Sequence, residues 1–212
     1  MKRISTLLAL VLITGMIYAQ GPLSFGIKVG MNLASLPTTG STNSLVSSIT
    51  SKGMYGYQAG IFLRITIKKI IIQPELYFSL KGGDITYNLS KPDSASLVNS
   101  ITKKVRLYNV DIPIMFGYNF IDNALFKFRV MAGPVASLNL DKTISINTAG
   151  VHDNLDKTDL NNLMWNLQAG LGIDVWKLTL DVRYEYGLNA LNKGTTEKTK
   201  SNSYMVSVGL KF

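Results

Sequence analysis

Ser203-Tyr204-Met205-Val206-Ser207-Val208-Gly209-Leu210-Lys211-Phe212 is the stretch on which the reading of this chain turns. Tyr204, Val206, Val208, Leu210 and Phe212 share one parity, while Met205, Ser207, Gly209 and Lys211 share the other. Side chains alternate across a strand with period two, so this is a β-strand with one apolar and one polar face. A lone amphipathic strand is not stable in water and needs partners. The expectation is that it closes a membrane barrel, pairing with the strand before it and with the first strand of the chain.

The rest of the composition agrees. In 212 residues, 17% are charged and the mean hydropathy is +0.17, apolar for a soluble protein. Beyond the N-terminus, however, no run approaches the roughly 20 apolar residues of a membrane helix. Apolar content without apolar runs is the product of alternating strands. The absence of cysteine excludes disulfides and thiolate metal sites. The formal charge is +9, but the lysines are scattered over turns and loops and form no basic stripe, which argues against nucleic acid. A mildly basic surface suits anionic lipid head groups instead.

Residues 1–19 read as a secretory signal peptide, with a basic start (Lys2, Arg3), an apolar core from Leu7 to Ile17 and cleavage after Ala19. Residues 20–212 then form one barrel domain. Eight antiparallel strands are expected, over Ser24–Asn32, Met54–Thr66, Ile70–Lys81, Lys104–Phe120, Leu125–Leu140, Asn162–Val175, Leu178–Leu188 and Ser203–Phe212. A short helix is expected over Ser44–Ser51, inside the first loop. Connections alternate, long after odd strands and short after even ones, with tight turns at Lys68-Lys69, Asp122-Asn123 and Trp176-Lys177. This is the up-and-down meander of an all-β transmembrane barrel with long outer loops, short periplasmic turns and both termini periplasmic.

A soluble lipocalin-type barrel also alternates, but keeps its apolar face inward. Here the polar parity is rich in glycine (Gly26, Gly30, Gly56, Gly60, Gly117, Gly133, Gly170, Gly172). Glycine is a poor residue for a solvated strand surface and a suitable one in a crowded narrow lumen. The same parity carries Lys28, Arg64, Glu75, Asp111, Lys127, Arg129, Asp174, Asp181, Arg183, Glu185 and Lys211, mixed charges that pair in a confined lumen. The apolar parity sorts its aromatics by depth. Tyr55, Tyr57, Phe78, Tyr108, Trp165, Tyr184, Tyr186 and Tyr204 lie toward the outer ends, and Phe25, Phe116, Tyr118, Phe126, Phe128 and Phe212 toward the periplasmic ends. Two aromatic bands around an aliphatic belt match the two lipid–water interfaces. Pro74, Pro113 and Pro134 each remove a ladder donor, so bulges or irregular pairing are expected there.

Specific stretches carry a resemblance. Ile72-Gln73-Pro74-Glu75-Leu76-Tyr77-Phe78-Ser79, the segment 107–118 with Asp111-Ile112-Pro113, Ala132-Gly133-Pro134, Gly170-Leu171-Gly172-Ile173-Asp174 and the segment 181–188 are similar to the PorT-type outer-membrane β-barrel family of Gram-negative bacteria. The resemblance spans nearly the whole mature chain. It implies an eight-stranded barrel integral to the outer membrane, with the three prolines as part of the pattern. It also implies that the terminal aromatic Phe212 is read by the barrel-assembly machinery, and it associates the chain with a family named for a secretion protein.

Little in the chain points to catalysis. His152, the only histidine, stands beside Asp153 in an expected outer loop, with Ser137 and Ser145 nearby in sequence, and reads as a solvated residue. Asp153, Asp156 and Asp159 lack the ligand spacing and glycine of a calcium loop and read as a solvated acidic segment. No catalytic, cofactor or metal residue is expected. An eight-stranded interior is just wide enough for side chains to fill. The expectation is a plugged barrel acting as a structural and interaction protein through its outer loops, with lipid, lipopolysaccharide and a secretion or surface protein as partners. The alternative is a small-solute conduit or a membrane enzyme.

Overall fold

The computed structural model describes residues 23–39, 46–89, 100–148, 151–154, 162–189 and 198–212. The expected signal peptide lies outside these residues. Eight strands follow in order: β1 (Leu23–Ser35), β2 (Val46–Ile67), β3 (Ile70–Leu89), β4 (Ser100–Asp122), β5 (Phe126–Thr148), β6 (Leu163–Val175), β7 (Leu178–Gly187) and β8 (Asn202–Lys211). Each pairs antiparallel with its neighbours in sequence, and β8 pairs with β1 from Gly26↔Lys211 to Ser35↔Asn202. The seam is completed when Phe212 N–H donates to the Phe25 carbonyl at 2.7 Å. The sheet is therefore a closed barrel.

The registers fix its geometry. The pairing row from Leu23 runs through Ile65, Ile72, Phe116, Ala132, Ala169, Tyr184 and Tyr204 and returns to β1 at Leu33. The displacement from Leu23 to Leu33 is a shear of 10 residues for eight strands. That stagger tilts the strands by about 35–45° and sets a narrow interior.

One end of the barrel carries the short connections. Lys68 and Trp176 turn the chain with φ of 56° and 55°, the left-handed region that tight hairpin turns demand. At the other end the wall is uneven. β2 to β5 have 20–23 residues, against 10–13 in β1 and β6 to β8. A crossing needs only about 9–11, so β2 to β5 rise past the rim as a one-sided crown. Val151–Asn154 adds to the end of β5, and Thr38–Thr39 pairs with Lys198–Thr199.

Two expectations about the loops are corrected here. The short helix over Ser44–Ser51 is instead strand from Val46 onward, paired with β3 through Val46↔Leu89 and Thr50↔Thr86. Its β-branched residues Val46, Ile49 and Thr50 favour that extended backbone. Much of the expected loops 82–103 and 141–161 is likewise paired strand. Bulges fall away from the three prolines, where irregular pairing, the expected alternative, is found instead. The ladder shifts register between Gly53 and Gln58, between Tyr108 and Asn109, and between Asn119 and Ile121.

At the prolines the register is kept but pairs drop out. Between β2 and β3 pairing passes from Phe62↔Glu75 to Ile65↔Ile72, skipping Pro74. Between β3 and β4 it passes from Pro74↔Ile114 to Tyr77↔Asp111, skipping Pro113. Between β4 and β5 it passes from Pro113↔Val135 to Phe116↔Ala132, skipping Pro134. Each proline lacks the N–H its preceding neighbour needs. The three gaps form one diagonal seam across the wall.

Candidate functional site

The two faces of the wall meet different surroundings. Ile27, Val29, Ile61, Leu76, Ile114, Leu171, Val182 and Val208 point outward and are exposed, whereas the alternate positions point inward and are buried. Lys28, Arg64, Glu75, Asp111, Arg129, Asp174, Asp181, Arg183 and Glu185 all lie in the interior, at 0–4% exposure.

These charges form ion pairs that cross the lumen. Arg183 on β7 holds Glu75 on β3 through both terminal nitrogens, at 2.7 and 2.8 Å. Lys81 on β3 reaches Glu185 on β7 at 2.5 Å, and Arg64 on β2 reaches Asp174 on β6 at 2.5 Å. In an eight-stranded ring β3 and β7 are diametrically opposite, and so are β2 and β6. Each of these bridges therefore spans the full bore. Around them Lys28 binds Asp181 at 2.5 Å and Glu75 at 3.2 Å. Arg129 binds Asp174, Asp181 and the Thr179 hydroxyl, and Lys211 binds Asp174 at 3.1 Å from the turn-end rim.

Neutral side chains add further hydrogen bonds. Arg183 also donates to Tyr77 Oη at 3.0 Å, Gln168 donates to Glu185 at 2.7 Å, and the Ser79 hydroxyl donates to Asp111 at 2.6 Å. A buried ion whose partner is removed is strongly destabilising, so such charges are kept only in connected sets. Glycine makes the space. A Cβ at Gly172 would stand 2.5 Å from the guanidinium carbon of Arg129, and one at Gly60 2.6 Å from the Tyr77 ring. Toward the turns an apolar cluster of Ile71, Met115 and Met131 fills the bore.

Lys127 shares the parity of this network but not its surroundings. It lies at the turn-end rim, about a third exposed, and pairs with Asp122 at 2.5 Å. Lys81 and Tyr77 belong to the interior set although neither stands out in the sequence as a charge partner. Their signal was their parity on β3. The aromatics Phe25, Tyr55, Tyr57, Phe78, Tyr108, Phe116, Tyr118, Phe126, Phe128, Trp165, Tyr184, Tyr186, Tyr204 and Phe212 all stand on the outer face. Phe120 and Trp176 join them, 58% and 68% exposed. Tyr184 and Tyr204 touch across strands with ring centres 4.8 Å apart, and along β4 Tyr118 stands edge-on to Phe120 at 5.2 Å.

Above the rim the polarity of the wall reverses. Lys52, Lys104 and Arg106 are exposed on the outer face, and Asp84 stands opposite both lysines in register. The inward positions become apolar: Val105 and Leu107 are buried, and Leu36, beyond the end of β1, is buried with them. The Ser51 hydroxyl fixes this segment by donating to the Leu36 carbonyl at 2.9 Å. A wall apolar outside and polar inside fits hydrocarbon; the reverse fits water. The reversal marks where the crown leaves the membrane.

His152 lies in Val151–Asn154, where the register sets Asn147, not Ser145, opposite it. Ser137 is in the lumen, accepting from Asn166 at 2.9 Å. Asp156 and Asp159 lie outside the described residues.

The family model for the outer membrane protein beta-barrel domain matches residues 18–193. The chain belongs to that family. It is accordingly an integral outer-membrane protein, set among lipid and lipopolysaccharide. It is similar to solved outer-membrane barrels. Ail of Yersinia pestis, solved with the heparin analogue sucrose octasulfate, is 14% identical over 90% of this chain and 99% of its own, with a TM-score of 0.48. OprG of Pseudomonas aeruginosa is 13% identical over 89% and 95%, with a TM-score of 0.49. The outer membrane enzyme PagL is 13% identical over 88% and 98%, with a TM-score of 0.41. No curated protein matches the sequence.

Proposed function

We propose that this barrel is a closed, side-chain-filled membrane mount that presents its crown to a binding partner, and that it is neither a pore nor an enzyme. The observation that carries this reading is the set of ion pairs joining diametrically opposite strands, Arg183–Glu75, Lys81–Glu185 and Arg64–Asp174. A solute could pass only by breaking several buried pairs at once, each costing several kcal/mol, about 3–5 by analogy with measured cases. With the bore occupied, the surface left for function is the crown of β2 to β5 with its exposed Lys52, Lys104 and Arg106.

In this reading the short turns and both ends of the described chain face the periplasm and the crown faces outward. The protein is a PorT-type member, and its partner is a secretion-related or surface protein, or lipopolysaccharide. Short turns at one end and long hairpins at the other support that orientation. Each buried carboxylate of the lumen, Glu75, Asp111, Asp174, Asp181 and Glu185, is held in an ion pair, which supports a non-catalytic interior.

Single-channel recording in planar bilayers tests the plugged bore. The expected result is a silent bilayer. Stable conductance steps that change on Arg129→Gln or Glu75→Gln would show a conduit and overturn the reading. A photo-crosslinker at Lys104 in the native cell tests the crown, and capture of a discrete protein or of lipopolysaccharide is the expected outcome.

A further inference from the structure

The proline seam opens the wall on its lipid-facing side. Where Pro74 interrupts the β2–β3 ladder, a cleft of about 210 Å³ lies in the wall, lined by Phe25, Ile61, Phe62, Leu63, Pro74, Glu75 and Leu76. Its cause is covalent. Proline has no N–H to offer the Leu63 carbonyl across the gap, so the two strands are not held together there. All of these but Glu75 are apolar, the Glu75 carboxylate is held in the lumen by Arg183 and Lys28, and Ile61 and Leu76 are each 44% exposed to the bilayer side.

The same two strands join just below, at the turn Lys68-Lys69, where both lysines are exposed. The Lys69 ammonium lies 6.0 Å from the centre of the Tyr118 ring, which stands on the outer face. That contact puts the charge against the lipid-facing side of the wall and not under the barrel. Pro74 is five residues from Lys69, a rise of about 12 Å along a tilted strand. A membrane lipid has the same order along its length, an anionic phosphate at the interface and an acyl chain below it.

We infer that β2, β3 and their turn form a binding site for one anionic phospholipid, its phosphate on Lys68 and Lys69 and one acyl chain in the cleft at Leu63–Pro74. This deepens the orientation proposed above and rests on it, because phospholipid forms the leaflet that meets periplasmic turns. The cationic turn supplies the attraction for the head group, and the broken ladder supplies the groove for the chain.

Native mass spectrometry of the purified barrel, titrated in detergent with phosphatidylglycerol, tests the site. Wild type is expected to retain one lipid. Lys68→Gln with Lys69→Gln should weaken retention about tenfold or more. Leu63→Trp, which fills the cleft without changing charge, should do the same. Phosphatidylcholine should be held less well than phosphatidylglycerol. Heat-modifiable migration on gels verifies that each variant has folded, and Ile61→Trp replaces Leu63→Trp if that variant does not. Equal retention by wild type and both kinds of variant overturns the site, and so does loss on removing the lysines without loss on filling the cleft. The native chain has no cysteine, so Lys68→Cys labelled in cells reports which side the turn faces. Labelling from outside overturns the orientation and, with lipopolysaccharide displacing phosphatidylglycerol in the titration, the phospholipid assignment too.

Discussion

Arg183 and Glu75 stand 108 positions apart in the chain and meet in a two-point fork at the centre of the bore, each fully enclosed. Lys28 reaches the same carboxylate from a third strand at 3.2 Å. Glu75 is thus the point at which β1, β3 and β7 are tied together.

Glu75→Gln leaves Arg183 and Lys28 short of a counter-charge in a buried interior. The expected loss is about 3–5 kcal/mol, read from urea unfolding of the barrel in lipid vesicles. Lys127→Gln is the control. It removes a partly exposed pair with Asp122 and should cost about 0–1 kcal/mol.

Gly172→Ala drives a methyl group into the Arg129 guanidinium, whereas Gly53→Ala meets nothing nearer than 3.0 Å. The first substitution is expected to destabilise by about 1–3 kcal/mol. The second should change stability much less. Thermal unfolding followed by heat-modifiable migration separates the two.

Lys68 holds a φ of 56°, a conformation that costs a residue with a side chain roughly 1 kcal/mol relative to glycine. Lys68→Gly should therefore raise stability by up to about 1 kcal/mol in the same urea assay. A loss would mean that the turn depends on the lysine side chain more than on its backbone.

Leu36 is fully buried beyond the rim, against Gly83 and the inner face of the crown. Leu36→Ala should loosen the crown by about 2–5 kcal/mol without unfolding the barrel below. Limited trypsin digestion would show it, as faster cutting at Lys103, Lys104 or Arg106 with the barrel fragment still heat-modifiable. Unchanged cutting would mean that Leu36 does not hold the crown.

The barrel was legible in the sequence because its two faces meet opposite solvents, so parity alone sorts Val206 from Ser207 and Ile173 from Asp174. The same rule hid the crown. Above Tyr108 the apolar residues change sides, and Val105 and Leu107 continue the strand with inside and outside exchanged. A pattern sought as apolar-out ends there, and the bulges at Gly53/Gln58 and Tyr108/Asn109 help to blur the phase. Within the lumen, parity named the charges but not their partners. Arg64 meets Asp174 only because the shear carries β2 and β6 to facing positions, a relation no local spacing encodes.

The return of the pairing row to Leu33 after starting at Leu23 has a consequence for assembly. Strand pairing has a period of two, so a slip of one residue at any of the interfaces turns a whole strand over. A flipped β5 would present Arg129 to hydrocarbon and leave Asp174 and Asp181 without it. The error is not local, since the ring could then no longer meet Phe212 at Phe25 in phase. A misregistered barrel would thus lose membrane burial, lumen ion pairs and seam closure together.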